Sequence, residues 1–314
     1  MRDATIRKEN MKKNSIFLPV DRATIIYLLV LSLITLFFKH NQPLWFYYII
    51  FNFSIVVLIL LGVKFLSSPN GLAKFIRHWY PVILFTFLYE ETRYLVHIIF
   101  PGFFDFWINN LEFNLLGNYP TVFLEKYSIP ILNEYFLLAY FSYYFLLPVS
   151  GIALYFSKKI KEFDRMVFAS AVVFYISYLG FIFFPVEGPR YALSAFHQIP
   201  IKGFMFVPLA QWIVKVGGLH GGCMPSSHVA IACVVFIFVY KYARRLFYFL
   251  GPLIISLFIG TVWGRFHYIL DVLAGIIVGL LSLYLVEKIE RFREKKKEFN
   301  FQEKDFSLDL VEKK

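Results

Sequence analysis

Two short stretches of this chain carry side chains suited to moving a phosphoryl group. Gly221-Gly-Cys-Met-Pro-Ser-Ser-His228 stands directly before an apolar run, so Ser226 or Ser227 is placed to cap a helix whose free amides face a glycine-rich turn. A helix start of this kind is an anion site, and a phosphate fits it. The plainer reading is that the serines only cap and His228 is an interfacial residue. In the second stretch, Thr261-Val-Trp-Gly-Arg-Phe-His267-Tyr-Ile-Leu-Asp271, a histidine and a carboxylate stand four apart. On a helix they share a face, and the carboxylate accepts the ring N–H, fixes the tautomer and leaves the other nitrogen basic and free to attack. Taken alone, such a pair is more often structural.

Phosphoryl transfer needs a nucleophile, an acid for the leaving oxygen and fixed positive charge on the equatorial oxygens. His267 with Asp271, His228 and Arg190 would supply these parts from separate stretches, so the elements that bring them together decide the matter. The composition is 59% hydrophobic and 17% charged, against roughly 45–50% and about 25% in soluble domains. Apolar runs long enough to cross a hydrocarbon layer of about 30 Å recur along the chain. They predict an all-α membrane bundle with about eight spans, near 23–39, 45–63, 79–99, 133–156, 166–184, 228–241, 246–263 and 269–287.

Most of the 32 Lys and Arg residues fall in alternate connections, beginning with the leader (Arg2, Arg7, Lys8, Lys12, Lys13) and ending in the tail. Because short basic segments stay in the cytoplasm, both termini are expected there, and Arg190, His228, His267 and Asp271 at the outer boundary. No small-residue cleavage site follows the first span, so no removable signal is expected. Four sections result: a basic leader (1–22), an N-terminal membrane section (23–132), a core (133–287) and a basic tail (288–314). The aromatic stretch from Pro101 to Pro130 is expected to lie on or re-enter the membrane surface. The Gly- and Pro-rich loop 185–227 is long enough to be functional. The +11 charge reflects topology and contact with anionic lipid rather than nucleic acid. Cys223 and Cys233 give no disulfide framework.

Pro225-Ser-Ser-His228 and His267-x3-Asp271 resemble the second and third signatures of the type 2 phosphatidic acid phosphatase superfamily, over about residues 185–275. The resemblance implies a helical bundle with its site at the ends of the core helices. It also implies that His267 forms a phosphohistidine, that Asp271 orients it and that His228 protonates the leaving group. In Glu187-Gly-Pro-Arg190-Tyr the arginine of the first signature is kept, but Phe183 stands where that family has a lysine, and Thr261 where its third signature has an arginine. Arg265, and Lys202 further off, are the candidates for replacement charge beside Arg190, Ser226 and Ser227. These departures, with Glu112-x4-Gly117-x2-Pro120, make the chain look closer to inositol phosphorylceramide synthases and sphingomyelin synthases, which pass the group to an alcohol.

Glu90, Glu91, Arg93 and His97 interrupt the third span, where ionisable groups are costly. An interhelical ion pair is the first reading of Glu90, Arg93 and His97, and a contact to substrate the second. Asp105 and Glu112, seven apart, are expected to share a face and line the outer site. The sequence therefore points to a membrane lipid phosphatase needing no cofactor and no metal, since no carboxylate cluster has hard-cation spacing. A lipid phosphotransferase is the alternative, and a transporter or flippase using the third-span charges is the rival of another class. Nothing in the sequence fixes the oligomeric state.

Overall fold

The computed structural model describes residues 17–66 and 71–312, with side chains described through residue 295. Leader residues Arg2, Arg7, Lys8, Lys12 and Lys13, and the tail side chains beyond 295, lie outside the described residues. Among the described residues, regular structure is helical. The elements are α1 (Pro19–Phe37), α2 (Trp45–Phe65), α3 (Gly71–Leu95), α4 (Asp105–Leu116), α5 (Pro120–Phe123), α6 (Pro130–Phe156), α7 (Ile160–Phe183), α8 (Pro189–Ala192), α9 (Phe206–Gly217), α10 (Ser227–Tyr242), α11 (Arg244–Trp263) and α12 (Ile269–Glu312).

Six helices, α1, α2, α6, α7, α11 and the first part of α12, are long and apolar enough to cross a membrane. The chain is an integral, multi-pass membrane protein. Helices α3 and α10 occupy the other two expected positions, but α10 has only 16 residues and α3 is diluted by its charged side chains.

Helix α10 is short because it is the axis of the core rather than a lipid-facing rod. It packs against α6, α7, α11 and α12, and Val229 through Val235 are buried on every face. Glycines let its neighbours come this close. A Cβ on Gly279 of α12 would stand 2.8 Å from the Ala230 carbonyl oxygen, one on Gly275 2.5 Å from that of Ser226, and one on Gly260 of α11 2.5 Å from that of Phe136. At the far end of the bundle, Asp21 at the start of α1 accepts from Arg77 and Tyr80 of α3, a buried tie between the first and third helices.

Helix α12 runs past 287, where the tail was expected to begin, and on to Glu312. Past 287 the sequence holds strong helix formers without Gly or Pro, and Glu287 pairs with Arg291 one turn on. The 101–130 stretch contains α4, whose sidedness is inverted. Asp105, Ile108, Asn109 and Glu112 face the protein, while Phe106, Trp107, Leu111, Phe113 and Leu115 are exposed. Apolar groups outward and carboxylates inward suit a helix lying at a membrane surface.

Candidate active site

The site forms where α6, α10 and α12 begin. Ser226 has extended backbone and its hydroxyl accepts the Val229 amide at 3.4 Å, so α10 starts at Ser227 and His228 falls in its first turn. The Ser226 amide donates to the Asp271 carbonyl at 3.1 Å, which binds the starts of α10 and α12 together. Helix α11 ends at Trp263, and the amides of Phe266 and His267 both donate to the Thr261 carbonyl. Arg265 takes a left-handed conformation (φ 62°) to make this turn.

His267 and Asp271 do not share a helical face as expected, because α12 begins only at Ile269. They meet nonetheless. Asp271 Oδ2 accepts the Tyr268 amide at 2.9 Å, reaching back to the helix start as in a capping box, and lies 3.3 Å from His267 Nδ1. The other ring nitrogen, Nε2, is 3.3 Å from His228 Nδ1. Burial holds the His267 imidazole well below the ordinary histidine range, at about 4, so it is neutral at physiological pH and keeps a free lone pair. His228 is gripped from the other side: Tyr140 OH stands 3.3 Å from its Nε2, and the rings of Tyr140 and Tyr143 pack on it at 5.1 and 4.3 Å.

Arg190, His228 and His267 line one cavity of about 90 Å³ with Glu187, Tyr191 and His220. Among the described residues no carboxylate pairs with Arg190; its guanidinium lies 5.8 Å from the centre of the Phe266 ring. A second cavity, of about 350 Å³, meets the first at Tyr89, Tyr144, Gly217 and His228 and runs between α3, α6, α7 and α10, with Ser227 and Tyr143 on its wall.

Several expected contributors stand elsewhere. Arg265 turns away and pairs with buried Glu125 at 2.8 Å, because that carboxylate needs a cation more than the open pocket does. Its guanidinium also donates to the Ile199 carbonyl. Lys202 does not line the small cavity; its carbonyl accepts from Asn133. The Ser226 hydroxyl is occupied by capping. Asp105 and Glu112 share a face but lie behind the site. Asp105 accepts the amides of Glu187 and Gly188, both at 2.9 Å, and the Tyr268 hydroxyl at 2.8 Å. Glu112 accepts the Leu270 amide at 2.9 Å, and burial pushes its carboxyl up to about 7.

The expected interhelical pairing of Glu90, Arg93 and His97 is not what forms. Glu90 and Arg93 pair within α3, and Arg93 also donates to the carbonyls of Gly217 and Gly218 at 2.8 and 2.9 Å. With Tyr89 OH accepting the Leu219 amide, α3 pins the turn that carries His220. His97 lies past the helix end, its Nδ1 3.0 Å from the Phe100 carbonyl. Sequence reasoning missed Tyr140, Tyr143, Glu187 and His220; the tyrosines read as bulk aromatic residues of a span, and a lone His beside glycines gives no pattern.

Cys223 Sγ, a His267 nitrogen and an Asp271 oxygen lie within 4.8 Å of one another, and these are the donors that would hold a metal ion. As they stand, the thiol donates to the Phe266 carbonyl at 3.4 Å. Burial and the nearby carboxylates of Asp271 and Asp105 keep it protonated, whereas a metal takes the thiolate. The model of a family described as the PAP2 superfamily matches residues 107–285, more than half of the chain. No curated protein and no solved structure matches it.

Proposed function

The chain belongs to the PAP2 superfamily, and from that premise we propose that it is a lipid phosphatase working through a phosphohistidine. The observation that carries the reading is His267, set between Asp271 and His228 at 3.3 Å from each, in a cavity that also holds unpaired Arg190. His267 Nε2 attacks phosphorus, the P–N bond forms as the bond to the lipid oxygen breaks, and His228 protonates that oxygen. Asp271 stabilises the charge that develops on the ring, and Arg190 faces the phosphoryl oxygens. Water then attacks phosphorus and gives its proton to His228 as the P–N bond breaks, which frees His267 and releases phosphate. The basic-residue asymmetry supports placing the site on the outer face of a plasma membrane with both termini cytoplasmic.

One observation favours a second reading. The 350 Å³ cavity reaches His228 from within the bundle and presents Ser227 and tyrosine hydroxyls, room for an alcohol acceptor of the kind used by inositol phosphorylceramide and sphingomyelin synthases. A transporter reading loses the groups it relied on, since Glu90 and Arg93 are bonded to one another and to backbone. The test is purified protein with a panel of lipid phosphates and chelator, wild type beside His267→Ala. Phosphate release that persists in the variant, or that chelator alone abolishes, would overturn the mechanism. Turnover that requires an added alcohol would favour the transferase.

A further inference from the structure

A site that handles a phosphoryl dianion needs positive charge on the oxygens that do not leave. The nearby Arg265 is turned away from the cavity and toward Glu125. Among the described residues, Arg190 is the only Lys or Arg that lines the small cavity. The opposite wall of polar groups comes from a residue that no signature includes.

We infer that His220, held by Glu187, is a second phosphoryl-binding residue of this site. This rests on the phosphoryl-transfer reading above. His220 Nε2 lies 3.2 Å from Glu187 Oε2, and both residues line the same 90 Å³ space as Arg190, His228 and His267. An anion bound beside Arg190 and His267 therefore shares its cavity with the His220 ring. Glu187 engages one ring nitrogen, and the other is left for the anion.

The placement is built rather than incidental. Val186 and Gly222 form an isolated bridge, with the Val186 amide donating to the Gly221 carbonyl and the Cys223 amide to the Val186 carbonyl, so the segments next to Glu187 and His220 are tied together. Gly221 has φ +101°, and a Cβ there would meet Val96 at 2.8 Å, so the turn after His220 requires glycine. The ring itself sits edge-on between Tyr191 and Phe103, at 4.6 and 5.2 Å. Arg93 and Tyr89 hold the other side of the same turn.

Inorganic phosphate is the probe. Binding to the purified full chain in detergent is measured by competition against lipid phosphate turnover, for wild type, His220→Gln and His220→Lys, with thermal midpoints as a check on folding. His220→Gln is expected to weaken phosphate binding roughly tenfold or more, and His220→Lys, which supplies a positive charge, to restore it to within about threefold. Phosphate binding by His220→Gln at wild-type strength would overturn the inference, as would equal weakening in the Lys and Gln variants. His267→Ala separates the two readings: it keeps Arg190 and His220 and is expected to bind phosphate in a direct equilibrium measurement while losing turnover. If wild type turns over no lipid phosphate, the parent reading falls; if it does and His220→Gln is unaffected, only the role of His220 falls.

Discussion

His228 Nδ1 stands 3.3 Å from His267 Nε2, so the proposed acid and the proposed nucleophile are in contact before any substrate arrives. Residues that act as one unit give non-additive losses. His228→Ala is expected to slow turnover by roughly 10²–10⁴-fold, the usual value of a positioned acid, and His267→Ala to abolish the covalent intermediate. The double variant should be no worse than His267→Ala alone. Acid quenching with labelled lipid phosphate measures this, and fully additive losses would mean the two rings work independently.

The pH dependence follows from burial. An ordinary histidine titrates near about 6.5, but His267 is held at about 4. Its neutral, attacking form therefore persists as pH falls through 6.5 and is lost only as pH falls through about 4. Histidine-selective nitrogen NMR of wild type against His267→Gln reads the titration directly. A ring that charges near 6.5 would show that the site is wet rather than desolvated.

Asp105 carries backbone rather than substrate. Asp105→Ala leaves the Glu187 and Gly188 amides and the Tyr268 hydroxyl without their acceptor, an expected loss of about 1.5–3 kcal/mol. Arg190 follows directly on this segment, so KM for the lipid phosphate should rise more than kcat falls. Asp105→Asn, which keeps one acceptor oxygen, should recover part of both. A variant with unchanged thermal midpoint would show that the clamp contributes nothing.

The seam between α10 and α12 depends on having no side chain. Gly279→Ala drives a methyl to 2.8 Å from the Ala230 carbonyl oxygen and the Cys233 Cβ, an overpacking cost of about 1–3 kcal/mol. Gly102→Ala, with open space around it, is the control. Thermal unfolding in one detergent should separate the two; equal midpoints would mean the helices part without penalty.

Hydropathy was enough to find the six long apolar helices, because span length is set locally along the chain. The capping serine was legible for the same reason. What escaped was long-range pairing. Nothing near Arg265 announces that Glu125 takes it, and nothing near His220 announces Glu187, since each pair forms only when distant turns are folded together. The reach of α12 past 287 was obscured by its charges, which suit a tail and a helix equally well.

Helix α4 sets the chemistry of its surroundings as a working part of the enzyme. Its aromatic side is stable only against hydrocarbon, and its other side holds, through Asp105 and Glu112, the backbone beside Arg190 and the first turn of α12. A harsh detergent that strips the interface would loosen that helix first and silence the site while the bundle stays helical. Lipid here is both the medium and a missing wall of the protein, and inactivity after extraction, reversed by returning the protein to bilayers, is the behaviour such an arrangement dictates.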